Sequence, residues 1–384
     1  MAGYVAGLVP WMQQRAEVLD RESRFPAAEI DRLRAVGALE PVLPVRDRQR
    51  NDAAAEALAS LLVQVGRGNL SVGRVLEAHI NTLHLVARYG TPSQWQTVCQ
   101  SVRDGALYAL WVTDPPDGGL LMQRHGDRIR LTGAKQFCSA AGFATGTLLT
   151  AHDPEGNRWM LVVPLGIGET VTPLPAPLSG MRAAVTGAVD FTGCEVSADT
   201  VLGQPGDYLR EPDFSAGAWR GSAVALGGLV ALVDHAVAQL RNAGRLDSPH
   251  TQARMGEAFI ARETARHWVR TVALAAEDPT LDTEHRVATV NLGRIAVETA
   301  CLDAMRLVQR SLGLTSFRQG SPVERICRDL ATYLRQPAPD DVLTYAARWF
   351  AEHPDASADG AVRNTSAPET SAPETLAPET AALR

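Results

Sequence analysis

The hydrophobic period of this chain changes twice, near residue 106 and near residue 216, and this double switch restricts the possible folds more than any single motif does. Apolar residues three and four apart mark one face of a helix, whereas short alternating runs mark strands. In the first segment, "FPAAEIDRLRAVGALEPVLP" places Ile30, Leu33 and Val36 on one stripe and closes with Gly37 and Pro41. Val72, Leu76, His79, Leu83 and Val86 then recur at helical spacing until Tyr89-Gly90-Thr91 stops the run. Between Ala106 and Gly203 the runs "ALYALWV", "RIRLTG", "TGTLLTAHD", "RWMLVVPL" and "AVDFTGCEV" are short, and β-branched or aromatic residues are frequent in them. His125-Gly126-Asp127 and Asp153-Pro154-Glu155-Gly156 read as turns between them. Helical spacing returns from Ala216. Ala218–Ala243 is apolar nearly all round, and a second helix is expected over about 251–276. A third is expected over about 284–312, with Leu292, Ile295, Leu302, Met305 and Val308 in phase. The predicted organisation is an N-terminal α-helical domain (1–105), a middle β domain (106–212) and a C-terminal helical bundle (213–353). A low-complexity tail (354–384), in which Ala-Pro-Glu-Thr recurs three times, is expected to be disordered.

The formal net charge of -6 and a pI near 5.9 argue against a nucleic-acid partner or a polybasic membrane contact. The longest apolar run, Ala223–Val233, is interrupted by two glycines and is shorter than the roughly 20 residues a membrane span needs, so no span is expected. The N-terminus lacks the pattern of a secretory signal, and a cytoplasmic location is the expectation. Cys99, Cys138, Cys194, Cys301 and Cys327 have no CxxC spacing, which suits reduced thiols and gives no metal site.

One stretch stands apart. "GAKQFCSAAG" (133–142) contains the only lysine of a chain with 37 Lys plus Arg. Strand alternation would put Lys135, Phe137 and Ser139 on one side. A reactive amine at Lys135 would need a desolvated site, and a strand-end cation is the plainer reading.

Taken in order and at fitting spacings, several short motifs carry a family resemblance from about Phe25 to Tyr345. They are "FPAAEIDRLRAVGALEPVLP", "YGTPSQ", "WVTDP", "LTGAKQFCSAAGFA", "LSGMR", "VLGQPGD" and "PVERICRD". Through them the chain resembles the acyl-CoA dehydrogenase superfamily of flavoproteins. The resemblance implies an α+β multidomain fold with an N-terminal α-helical domain, a central β-barrel or β-sandwich domain and a C-terminal antiparallel four-helix bundle. It also implies FAD bound at the interface of a homo-oligomer, a tetramer or dimer, and a small-molecule substrate such as an acyl-CoA. Thr113, Phe137 and Ser139 match the family's flavin-contacting positions, with Phe137 offering a π face and Ser139 a hydroxyl near flavin N5. Arg241, Gln309 and Gly313 match positions near the flavin pyrophosphate.

The resemblance breaks at the chemistry. Dehydrogenation of an acyl thioester needs a carboxylate base, a contribution of about 10²- to 10⁴-fold. Of the family's two locations for it, one falls here on Pro337 and the other on Trp219, just before Arg220. Asp340 and Asp341 follow Pro337 and read as a helix N-cap. A second branch of the superfamily consists of two-component flavin monooxygenases, which take reduced flavin or FMN from a partner reductase and use O₂. "KQFCSAAG" also resembles their segment, and His79 stands where they place a histidine able to act near neutral pH. His79 and Ser139 are therefore the candidate catalytic residues. A catalytically silent scaffold with the same fold is the third expectation.

Overall fold

In the computed structural model, whose described residues are 2–40 and 50–356, both changes of period become changes of architecture. Pro41 and the repeat tail from residue 357 lie outside the described residues. Among the described residues five helices come first: α1 (Ala2–Arg21), α2 (Ala27–Ala35), α3 (Asp52–Gly68), α4 (Leu70–Tyr89) and α5 (Pro92–Arg103). Asn69 alone separates α3 from α4, and its side chain accepts from the N–H groups of Ser71 and Val72, an N-cap that lets one helix end where the next begins. "YGTPSQ" is also a start signal: Thr91 and Gln94 form a capping box with Pro92 in the first turn of α5.

The β domain contains two sheets. Strands β2 (Leu121–His125), β3 (Arg128–Thr132), β5 (Gly146–His152), β6 (Arg158–Pro164), β9 (Glu195–Ser197) and β10 (Val201–Leu202) run in the order β10-β6-β5-β2-β3-β9. Strand β1 (Tyr108–Trp111) is parallel to β5. The smaller sheet has the order β4-β8-β7, from β4 (Ala134–Cys138), β7 (Thr170–Pro173) and β8 (Gly187–Asp190).

A one-turn helix, α6 (Asp213–Ala216), leads into the bundle of α7 (Trp219–Asn242), α8 (Pro249–Glu277), α9 (Thr283–Leu312) and α10 (Pro322–Tyr333), and α11 (Pro339–Glu352) packs on α9. Contrary to the sequence expectation, the stretch Asp213–Asn242 is long and apolar enough to cross a membrane, but 72% of its apolar window is buried inside the protein. Its backbone meets α3 directly. A Cβ on Gly227 would lie 2.3 Å from the carbonyl oxygen of Val63, and one on Gly66 would lie 2.3 Å from that of Val224.

The expected stripe on α9 is also displaced. The buried face runs through Gly293, Val297, Ala300, Ala304 and Val308, and Leu302 is exposed. A Cβ on Gly293 would sit 2.1 Å from a methyl of Val272 on α8, so the close approach of these helices selects small residues and moves the large ones to the flanks.

His79 lies on the buried stripe of α4 as its spacing predicts, with no exposed surface. Nδ1 accepts from the Tyr108 N–H at 3.0 Å, and Nε2 lies 2.8 Å from the Leu39 carbonyl, to which it donates. Both nitrogens are thus occupied in joining α4 to β1 and to the end of the α2 segment. This corrects the expectation of a catalytic His79: burial pushes its pKa down to about 4, so it is a neutral core residue.

Two predictions follow from this packing. Gly227→Ala should destabilise the protein by about 1–3 kcal/mol or more, because the obstructing atoms are backbone. Gly256→Ala in α8, where a Cβ meets nothing within 4 Å, should be neutral or stabilising by up to about 1 kcal/mol; denaturant melts of both variants check this. The second concerns pH. A histidine held neutral in the folded state binds its proton more readily when unfolded, so its contribution is lost as pH falls from about 6.5 towards 4, on the order of 3 kcal/mol in total. Buried Asp329, raised to about 6, acts in the opposite sense across part of that range, so the readout is a difference. His79→Gln should be less stable than wild type at pH 7.5 and show a shallower decline in stability towards pH 4.5. Equal slopes would contradict the assignment.

Candidate functional site

The segment that contains the lysine does not alternate as a regular strand. On β4, Lys135 pairs with Val189 and Cys138 with Gly187, so three steps on β4 oppose two on β8. The extra residue is a β-bulge, and Phe137 within it has φ 53°. Lys135 and Phe137 therefore point to opposite sides, which corrects the expectation of a shared face. Lys135 is fully buried and donates to Asp114 at 2.5 Å and to the Thr150 hydroxyl at 3.1 Å. It anchors the loop that follows Thr113, and the Thr113 carbonyl accepts from the Gln136 N–H. Phe137 is turned outward and is 50% exposed.

An outward phenylalanine with a left-handed backbone costs about 1–3 kcal/mol. That cost is concentrated here, because Phe137, Ala140, Met181 and Val185 are four of the six non-glycine residues with positive φ among the described residues. The two strained segments hold each other: the Ala140 N–H donates to the Ala184 carbonyl at 2.8 Å, and the Ala141 N–H to that of Val185. Ser139 is buried, its carbonyl accepts from the Trp111 indole at 2.9 Å, and its hydroxyl makes no hydrogen bond among the described residues. Phe143 stacks on Phe25 with centroids 4.4 Å apart, tying this surface to the N-terminal helices.

"LSGMR" and "PVERICRD" prove to be two halves of one contact. Arg328 donates to the Ser179 carbonyl at 2.6 Å, and the Met181 N–H donates to Asp329 at 2.6 Å. A Cβ on Gly180 would lie 2.2 Å from the Arg328 carbonyl oxygen, so only glycine fits. Arg328 also grips both oxygens of Asp20 on α1. The strained loop beside Phe137 is thus clamped to α10 and α1.

One turn beyond Asp329, the Tyr333 hydroxyl is buried and has no hydrogen-bond partner among the described residues. Burial pushes it far above its usual pKa, with the charge of Glu77 adding to the effect, so it stays protonated. Glu77 belongs to a polar stripe on α4, Arg74, Glu77, Asn81, His84 and Arg88, which sequence reasoning missed. Glu77 accepts from Arg74 and from Asn81, both at 2.5 Å. Asn81 in turn accepts from Arg220 at 2.9 Å. Arg220, 2% exposed, also donates to Nδ1 of His84 at 2.8 Å and to Glu277 at 3.3 Å. Burial and the neighbouring Arg220 keep His84 below its usual pKa and neutral. The signal was present in the sequence as polar residues at helical spacing opposite the apolar stripe.

The remaining candidates fall into separate groups. Thr113 is exposed beside β4, with Phe137 and Ser139. Arg241, Gln309 and Gly313 lie at the far end of the bundle, where Arg245 holds the last carbonyls of α9. Arg241 is exposed, with no ion pair among the described residues. Gln309 hydrogen-bonds Cys327, and Gly313 has φ 67° as the C-cap of α9. Trp219 is buried and its indole donates to Glu277. Pro337 is an exposed loop residue whose carbonyl accepts from Arg294. Asp340 and Asp341 lie inside the first turn of α11 rather than capping it, exposed on a helix packed against α9.

Residues 221–335 match the family model described as acyl-CoA dehydrogenase, C-terminal domain. The short-chain specific acyl-CoA dehydrogenase of Bos taurus mitochondria is 23% identical over 343 residues, covering 82% of this chain and 80% of the relative. The FMN-bound structure of TdsC from Paenibacillus sp. A11-2, a dibenzothiophene monooxygenase, superposes with a TM-score of 0.81 at 19% identity, covering 92% of this chain and 97% of that one. A glutaryl-coenzyme A dehydrogenase in complex with glutaryl-CoA gives a TM-score of 0.80 at 19% identity, covering 92% and 94%. The chain thus has the acyl-CoA dehydrogenase fold along the described domains, and its C-terminal helical segment, residues 221–335, matches the C-terminal domain model of that family.

Proposed function

We propose that this protein is a flavin-dependent oxidoreductase that holds its flavin against Phe137 and Ser139. The observation that carries the reading is the bulge in β4. It holds a large apolar ring half exposed on a strained backbone, beside a serine hydroxyl without a partner among the described residues and an exposed Thr113. These residues fit a flavin: Phe137 offers a π face, and the hydroxyls of Ser139 and Thr113 can hydrogen-bond a heteroaromatic edge. A flavin supplies, when bound, a ring nitrogen that accepts or gives up a hydride. Arg241 and Gly313 lie at the opposite end of the bundle from Arg220 and would meet the pyrophosphate of a flavin held by a second copy of the chain. Leu314 and Phe317, 86% and 59% exposed beside Gly313, are apolar surface suited to such an assembly.

Of the two candidate reactions, oxygenation with reduced flavin and O₂ is favoured by the residues present. Pro337 and Trp219 cannot take a proton, and Asp340 and Asp341 lie on the outer helix. Glu77 is a buried carboxylate near Tyr333, but both its oxygens already accept hydrogen bonds. Reduced flavin would then come from a separate reductase. Removal of hydrogen from an acyl thioester is the second reading, supported by the bovine relative's activity.

Anaerobic titration of the purified protein with FAD and FMN, oxidised and reduced, tests both readings. The expected outcome is tighter binding of reduced flavin, weakened about tenfold (about 1.4 kcal/mol) in Phe137→Ala. Oxidised flavin bound tightly and bleached anaerobically by an acyl-CoA would instead establish dehydrogenation. Binding of neither redox form would overturn both and leave a scaffold.

A further inference from the structure

The polar stripe of α4 ends at a cavity of about 530 Å³, bounded by the ends of α4 and α8, the starts of α7 and α9, and the loop around α6. We propose that this cavity is a binding site for a small molecule bearing an oxyanion, a carboxylate or a phosphate, whose charge is received by Arg286. The volume lies within the range that holds small ligands.

Most charges in the wall are already satisfied. Asp213 accepts from Arg88 at 2.9 Å and from the Tyr89 hydroxyl at 2.8 Å. Glu277 accepts from the Trp219 indole and from Arg220. Arg210 pairs with Asp207 at 2.6 Å. At the rim, Glu211 accepts from the N–H and hydroxyl of Ser215, and Asp282 caps α9 by accepting from the His285 N–H. Neutral His84 is an acceptor for Arg220 and brings no charge.

Arg286, in the first turns of α9, differs from all of these. It is half buried and forms no ion pair among the described residues. One terminal nitrogen donates to the Ala276 carbonyl, and its Nε is buried without a partner. The Nε of Arg220, a residue 2% exposed in the same wall, is also buried without a partner. A guanidinium is a planar fork that matches carboxylate or phosphate oxygens two at a time. Of the described cations in this wall, Arg286 alone has no carboxylate partner among the described residues, and an oxyanion in the cavity supplies one. The site does not depend on the flavin reading.

Isothermal titration of the full-length protein tests it, with glutarate and inorganic phosphate as probes, neutral glutaramide as control and chloride held constant. The expected result is saturable 1:1 binding of glutarate or phosphate and no binding of glutaramide. Binding should weaken at least tenfold in Arg286→Met and less in Arg286→Lys. Tighter glutarate identifies a carboxylate ligand, and tighter phosphate a phosphorylated one. Unliganded Arg286→Met should melt no lower than wild type, because it loses an unpaired cation. The proposal is overturned if neither probe saturates, if Arg286→Met binds as wild type does, or if that variant melts far below wild type, which would make Arg286 structural. A flavin titration of the same preparations reads the other proposal separately.

Discussion

Arg220 is a fully desolvated guanidinium at the start of the central bundle helix, and the arrangement of three helices depends on satisfying it. Removing such a charge from water costs several kcal/mol, offset only if its donors are met with good geometry. Asn81 and His84 of α4 and Glu277 of α8 meet those of its two terminal nitrogens, and only Nε is left without a partner among the described residues. This fixes the rotation of α4, because a turn about its axis would withdraw both acceptors and expose His79. It also fixes the end of α8, because Glu277 serves Trp219 and Arg220 together. On one side of Arg220 the network runs through Asn81 to Glu77, Arg74 and the neighbourhood of Tyr333. On the other it opens into the cavity of Arg286. A buried ion network is poor evidence for stability but good evidence for register, and register is what brings α4, α7 and α10 together behind the β4 surface.

The fold was legible because it is written in periods. Helical spacing located α4, the stop at Tyr89-Gly90 and the bundle helices, and the apolar stripe placed His79 in the core. The stripe on α9 was misplaced because hydrophobic size is a poor guide where two helices approach through glycine and alanine, as at Gly293. On α4 the apolar half of the pattern was read and its complement was not, although residues 74, 77, 81, 84 and 88 recur as regularly. Polar residues on a helix usually mean solvent. Here they mean a second, partly buried face, and only the packing of α7 and α10 reveals it.

The site was legible in part. The residues of "GAKQFCSAAG" form the surface proposed for the flavin, but alternation assigned Lys135 to the wrong side, because nothing in the sequence announces one extra residue between Lys135 and Cys138. The lysine owes its place to burial: it fills a closed space with a chain long enough to reach Asp114 and Thr150, and it holds the loop after Thr113. "LSGMR" and "PVERICRD" are far apart in sequence and had no evident connection. Gly180 is required because α10 passes where its side chain would be, and the two motifs answer one steric demand. His79 shows the limit of transferring a role by position: a histidine can stand at a matching place on a helix and still have both nitrogens committed to backbone.

The central claim is that the strain in β4 is retained to present Phe137 to a flavin ring. The most direct measurement is a crystal structure of the protein grown with FAD or FMN. The account predicts electron density for the tricyclic ring in van der Waals contact with Phe137, with the Ser139 hydroxyl hydrogen-bonded to its edge. Density for the flavin elsewhere, with Phe137 left facing solvent, would contradict it.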